Sequence, residues 1–137
     1  MSNKQDRFEI VVPDYAKENN IGAFSIDKDV RENEYECPTQ GATEMITVFP
    51  LDMMGYTNVR LIKADVEGHE LEVLQGGINT LKANNYPPII FEAWNWKPWF
   101  EPKRQALFDY IKGLGYEITE GGNNNLAQHP DHGEMLK

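Results

Sequence analysis

Residues 59–77 read VRLIKADVEGHELEVLQGG, the clearest structural signal in the sequence. Its first part is a largely apolar run that predicts a buried strand over residues 59–66. Gly68 then permits a sharp turn. Beyond it, apolar residues share one face of a predicted helix, which Gly76 and Gly77 weaken or bend: Leu71, Leu74, Ile78 and Leu81. The stretch is therefore a strand followed by a helix.

The downstream sequence repeats this alternation. Pro87 and Pro88 exclude helix and open a second buried strand over residues 89–94. An amphipathic helix follows Pro102, residues 116–119 form a third strand, and residues 126–128 are compatible with a last short one. The order β-α-β-α-β predicts an α/β fold with a parallel sheet and right-handed crossovers.

The N-terminal region is less regular. Residues 1–7 predict a loose polar tail, and the β-rich segments 8–12 and 44–49 each end at a proline. Between them only a short strand at 23–26 is indicated. The 137 residues suffice for one compact domain. We therefore predict a single domain over residues 1–137, with a β extension and loop over 1–50 and the core over 51–128.

Composition excludes several classes of partner. The net charge of -9 disfavours nucleic acid and anionic membranes. No run approaches the length of about 18 apolar residues that a membrane span needs. The single cysteine, Cys37, cannot form an internal disulfide, and the polar start has no apolar signal core. These features predict a cytoplasmic protein.

Acidic residues follow both strong strands. Asp65 and Glu67 end the first strand and Glu92 ends the second. Ligands of open parallel sheets bind beyond the carboxyl ends of the strands, so these side chains and His69 are expected to converge on one crevice. There, carboxylates can orient a hydroxyl, accept a proton or hold Mg²⁺ or Ca²⁺. They can equally cap the following helix.

Aromatic residues crowd the end of the second strand: Trp94, Trp96, Trp99 and Phe100. Such rings can stack on sugars or other flat ligands. They can also simply cover the sheet edge or an interface.

The run from Leu61 to Gly77 resembles the signature of the FkbM-family methyltransferases, with its Lys-x-Asp-Val-Glu-Gly strand end, a following Val-Leu and a Gly pair. The Phe-Glu at Glu92 and the Gly-Tyr at Tyr116 extend the resemblance. It implies a Rossmann-like fold and S-adenosylmethionine-dependent methylation of hydroxyls on sugars, polyketides or related small molecules. It places Asp65 and Glu67 at a strand end that faces cofactor and substrate, and Glu92 at the end of the next strand. Together with the residue chemistry above, it leads us to predict catalytic, cofactor-binding and substrate-binding sets and no metal ligand. The catalytic set is Asp65, Glu67 and His69, the cofactor set is Asp65 and Glu67, and the substrate set is Lys63, Glu92, Trp94 and Trp96.

One part of the family pattern is missing. No G-x-G turn follows an early apolar strand, although such a turn lets the backbone approach the cofactor. The sequence thus resembles the C-terminal half of the domain, a reduced Rossmann-like methyltransferase sheet with an N-terminal β extension. Three functions remain open: an S-adenosylmethionine-dependent O-methyltransferase or a truncated member that needs a second chain, a non-catalytic binding module that retains the substrate-side crevice, and a metal-assisted enzyme that uses the clustered carboxylates. The strand at 59–66 would become a sheet edge, which either the N-terminal strands or a second copy in a homodimer would cover.

Overall fold

The computed structural model describes residues 1–14, 16–17, 25–34 and 39–132. Within these ranges, the segments Leu51–Met54 and Pro130–His132 are 3-10 helices. The other elements, in chain order, are β1 (Asp6–Pro13), α1 (Lys28–Glu34), β2 (Thr39–Val48), β3 (Ile62–Ala64), α2 (Glu70–Gln75), α3 (Ile78–Ala83), β4 (Ile89–Glu92), α4 (Glu101–Gly113), β5 (Glu117–Gly121) and β6 (Asn124–Gln128). None of the helices in these described ranges has the length and apolar character needed to cross a membrane.

The main sheet has four strands in the order β3-β4-β6-β5. β3 and β4 are parallel, joined by α2 and α3, whereas β6 is antiparallel to both β4 and β5. The α/β fold is confirmed, but the expectation of a wholly parallel sheet is wrong. The reason is the turn at Gly122, whose φ of 78° allows β6 to fold back on β5 as a hairpin and to enter the sheet between β5 and β4.

The glycine pair divides the predicted helix into two. α2 ends before Gly76 and α3 begins after Gly77. Both glycines are sites of close packing: a Cβ on Gly77 would lie 2.8 Å from Leu51 Cδ2, and one on Gly76 would collide with the carbonyl oxygen of Ser2. The break therefore lets the N-terminal residues and the 3-10 turn pack directly against the helix backbone.

Helices α2 to α4 cover one face of the main sheet, and the hydrophobic core lies between these helices and the sheet. The largest fully buried apolar side chains of this core are Phe91, Leu74, Leu81, Ile89, Leu107 and Ile111. The α2–α3 and α4 crossovers run in the same direction across the sheet, so all three helices lie on the same face.

The N-terminal region contributes more than a β extension. β1 and β2 form a separate antiparallel pair, and neither pairs with β3, so the fold-back onto that strand does not occur among the described strands. Ser2 is buried and its N–H donates to Phe49 O at 3.0 Å, so the tail is not loose. α1, which the sequence did not predict, buries Val30 in the core. The strand expected at 23–26 lies partly outside the described residues, and Ser25 and Ile26 are not in a strand.

Candidate functional site

Three carboxylates meet where β3 and β4 end. The parallel register aligns Ala64 with Phe91, so the residues that follow these positions emerge at the same edge of the sheet. Asp65, Glu67 and Glu92 each offer a carboxylate oxygen within 4.8 Å of the others. The predicted convergence of the acidic residues is therefore observed.

The turn that carries Glu67 has an unusual backbone. Glu67 has a φ of 51° and Gly68 a φ of 89°, both in the left-handed region. Ser25 Oγ donates to Glu67 O at 2.6 Å, and a Cβ on Gly68 would lie 2.6 Å from Val30 Cγ2. Residues before and within α1 therefore hold this turn in its strained conformation, which sets the position of the Glu67 carboxylate.

The cluster carries an excess of negative charge. Partial burial, together with the nearby charges of Glu92 and Asp65, raises the pKa of Glu67, and Lys97 opposes this shift. Lys63 Nζ pairs with Asp65 Oδ2 at 2.6 Å, on a surface where both side chains are about half exposed. A group with a raised pKa beside other carboxylates is suited to accept a proton or to bind a cation.

Glu70 is a buried acid that the sequence patterns above do not single out. It is 1% exposed, and its Oε1 accepts a hydrogen bond from Val66 N at 2.9 Å. Burial raises its pKa to about 7, although hydrogen bonds from Val66 and other backbone N–H groups oppose the shift. Its place at the first position of α2, directly after the turn, was the available signal for a side chain that reaches back to the preceding strand end.

His69 does not join the carboxylate group, so the expected convergence of its imidazole on the crevice is wrong. Its Nε2 is 3.4 Å from Ser2 Oγ, and its Nδ1 faces Glu72 Oε2 at 3.5 Å, an electrostatic contact without hydrogen-bond geometry. Burial lowers the pKa of His69, and Glu72 opposes that shift. His69 is the N-cap of α2 without a side-chain capping bond, and Asp65 pairs with Lys63, so neither caps the helix through its side chain.

The aromatic residues divide into two groups. Trp94 is 7% exposed and packs on Phe100, with a centroid distance of 4.8 Å, so it belongs to the core. Trp96 is 57% exposed. Lys97 Nζ lies 4.1 Å from the Trp94 ring centroid and 5.5 Å from that of Trp96. Of the two tryptophans predicted to bind substrate, Trp96 is the one with a ring open to a ligand.

A cavity of about 210 Å³ opens beside the turn, between α2 and α4. Its walls include the buried Glu70 and the backbone of Gly68, and the remainder is mostly apolar: Leu71, Phe100, Pro102, Ala106 and Leu107, with Glu72 and Lys103 also lining it. A second cavity, of about 440 Å³, is lined by residues 57–60 before β3 and is polar, so it lies at the opposite end of that strand from the carboxylates.

The fold is an α/β sheet, and its acidic cluster lies at the carboxyl ends of two parallel strands, the edge at which open sheets of this kind bind ligands. The family model described as Methyltransferase FkbM domain matches residues 3–118. The chain therefore belongs to the FkbM methyltransferase family, which confirms the resemblance in residues 61–77 and indicates a methyltransferase. No curated protein and no solved structure shows significant similarity to it.

Proposed function

We propose that the chain is an S-adenosylmethionine-dependent O-methyltransferase, or the substrate-side part of one, that acts on a hydroxyl of a sugar, polyketide or similar small molecule. Family membership supports the methyl transfer. The observation that carries the proposal is the cluster of Asp65, Glu67 and Glu92 at the ends of β3 and β4. A cytoplasmic location stays a prediction, supported by the single cysteine.

The charge of the cluster suits the cofactor. When bound, S-adenosylmethionine supplies an electrophilic methyl group on a sulfonium sulfur, and that sulfur leaves with the electron pair of the broken carbon–sulfur bond. The raised pKa of Glu67 reflects burial and unbalanced negative charge from Glu92 and Asp65. A ligand with a net positive charge relieves that repulsion, and its amine or hydroxyl groups find carboxylate acceptors.

Each residue of the cluster would then have a separate role. Glu67 accepts the proton of the acceptor hydroxyl, because its raised pKa makes it the stronger base. Asp65, held by Lys63, and Glu92 orient the acceptor and the cofactor by accepting hydrogen bonds. Trp96 supplies an exposed ring on which a flat or cyclic acceptor can stack.

We further propose that residues outside this sequence, such as those of a complementing chain, complete the cofactor pocket. The sequence has no G-x-G turn after an early strand, and such a turn normally lets the backbone contact the cofactor closely. A complementing chain that carries this turn would supply the remaining contacts. The chain by itself is thus expected to bind the cofactor weakly.

The proposal is tested by methyl transfer from isotopically labelled S-adenosylmethionine at millimolar concentration to a panel of sugar and polyketide alcohols. We expect labelled product with the wild-type chain and at least about tenfold less with Glu67→Gln, since the base is removed. Asp65→Asn should abolish ligand binding while the melting temperature stays nearly unchanged, because its side chain is half exposed and does not cap α2. Glu117→Gln, at an exposed position on β5, is the matched control.

Failure to transfer label to any acceptor, together with calorimetry that detects no binding at 10-fold higher cofactor concentration, would contradict the proposal for this chain. Acceptor binding without turnover would instead identify a binding module. The two outcomes are separated by calorimetry with the alcohols alone.

A metal-assisted enzyme is the second candidate, and one distance favours it. Carboxylate oxygens within 4.8 Å of one another can ligate a single ion, since Ca²⁺–oxygen distances are about 2.3–2.6 Å. His69 does not join this group, so the ligands would be the three carboxylates. A rise in melting temperature with Ca²⁺ or Mg²⁺ that disappears in Glu92→Gln would support it. Identical melting curves with and without the ions would exclude it.

A further inference from the structure

β3 is an edge strand whose outer side has no neighbour among the described strands. Ile62 N donates to Pro88 O at 2.9 Å, so Ile62 and Ala64 direct their backbone groups toward β4. In a parallel ladder the intervening residues point the other way, so the N–H and C=O groups of Lys63 and Asp65 face outward. Leu61, just before the strand, is 47% exposed. Such an edge is a template for pairing with another strand.

The charges along this edge complement a second copy of it. Lys63 in β3 and Asp65 directly after it are two residues apart, so they lie on the same face of the extended chain, and they form an ion pair of 2.6 Å. Their side chains are 61% and 45% exposed. A short edge with one positive and one negative residue on the same face is self-complementary when its copy runs in the opposite direction.

We propose that two copies of the chain pair their β3 strands antiparallel about a two-fold axis at Ala64, and so join their four-stranded sheets into one. In this register Lys63 of each copy lies directly opposite Asp65 of the other. Ile62 lies opposite Val66, and the two Ala64 residues face each other. The four charges form a square in which each has a neighbour of opposite sign.

The alternative registers are less favourable. An axis at Lys63 sets the two lysines directly opposite one another, and like charges at that position are destabilising. An axis at Ile62 places Lys63 opposite Leu61 and Asp65 opposite Val59, which leaves both charges without a cross-strand partner. Charge complementarity therefore selects the axis at Ala64.

The pairing brings a residue of the second copy to the acidic cluster. Asp65 is one of the three clustered carboxylates, so Lys63 of the second copy would add a positive charge at their margin. A complementing chain that extended the sheet would need the same edge, so the dimer and that complex exclude each other. The inference does not depend on methyl transfer.

Charge reversal tests the proposal on the purified chain, with mass measured by light scattering behind size exclusion over a range of concentrations. Lys63→Asp and Asp65→Lys should each weaken the dimer by about tenfold to a hundredfold, because two attractive cross-strand pairs become repulsive. An equimolar mixture of the two variants should recover the wild-type affinity, since every facing pair is then of opposite sign. The double variant should do the same by itself. Lys82→Asp and Asp109→Lys, on exposed helix positions, are controls for net charge.

Amide exchange of the wild-type chain needs no variant, so it tests the proposed dimer even if a variant fails to fold. The amides of Lys63 and Asp65 should exchange more slowly as concentration rises, whereas the amides of Ile62 and Ala64, already bonded to β4, should not change. A monomer mass at all concentrations would overturn the proposal. A dimer that both single variants leave intact, with no concentration dependence at Lys63, would also overturn it.

Discussion

Replacement of Glu70 by glutamine should make the chain more stable at neutral pH and little different in acid. Glu70 is 1% exposed, and burial raises its pKa to about 7 from an ordinary 4.5. The folded chain thus retains a proton that the unfolded chain has lost. Between these two pKa values the folded state binds more protons, so the free energy of unfolding falls as the pH rises through this window.

The size of the effect follows from the shift. The step from 4.5 to about 7 corresponds to about 3 kcal/mol, at about 1.4 kcal/mol for each pKa unit. This contribution to stability is fully present below pH 4.5 and is lost by about pH 7. Glutamine preserves an oxygen that can accept the 2.9 Å hydrogen bond from Val66 N. It therefore removes the titration while retaining that backbone contact.

Urea unfolding between pH 4 and 8 measures the free energy of unfolding of the wild-type chain and of Glu70→Gln. The stability of Glu70→Gln relative to wild type should rise by about 2–3 kcal/mol from pH 4.5 to 7.5 and then level off. Glu117→Gln, on an exposed strand position, should run parallel to wild type throughout. If the Glu70→Gln and wild-type curves were also parallel, the raised pKa would be wrong, and the carboxyl group would ionise in the folded chain near its ordinary pKa of 4.5.

Three further results are expected. Gly68→Ala should cost about 2–4 kcal/mol of unfolding free energy, because the φ of Gly68 is 89° and the new Cβ would lie 2.6 Å from Val30 Cγ2. Gly113→Ala is the control: a Cβ there would have nothing within 4 Å, so the unfolding free energy should change by under about 0.5 kcal/mol. Asp52→Ala should cost about 1–2 kcal/mol of unfolding free energy at pH 7, because the carboxylate accepts hydrogen bonds from Thr80 N and Oγ1 at 2.7 and 2.8 Å. Burial acts to raise the pKa of Asp52, but these hydrogen bonds outweigh it and lower the pKa. The stability difference between variant and wild type should therefore shrink in urea melts below about pH 4. Calorimetry should give the isolated chain a dissociation constant for S-adenosylmethionine on the order of 1 mM or worse, and micromolar binding would refute the need for a complementing chain.

Local patterns in the sequence were sufficient to predict the strand and turn at the centre of the site. The apolar run before Asp65 and the glycine at 68 specify a strand that ends in a sharp turn, and the strand before Glu92 has the same character. Because the carboxyl ends of parallel neighbours share one edge, the meeting of the acidic residues followed from strand order alone.

Other features depended on residues far apart in the chain. The same histidine spacing is compatible with a catalytic role or with a buried N-cap, and the contact with Ser2 decides where His69 points. A tryptophan at a strand end can face solvent or core, and the packing of Phe100 buries Trp94. The sequence of the short β6 segment does not specify the strands with which it pairs.

The α/β class, the FkbM family, the two parallel strands and the acidic strand ends can all be predicted from the sequence, because each depends on short-range periodicity or on a contiguous motif. Three other features are visible only in the folded chain: β6 enters between β4 and β5, α1 and Ser25 hold the turn at Glu67, and Glu70 is buried. These features arise from the packing of segments separated by tens of residues, where burial and shape, rather than local spacing, select the partner.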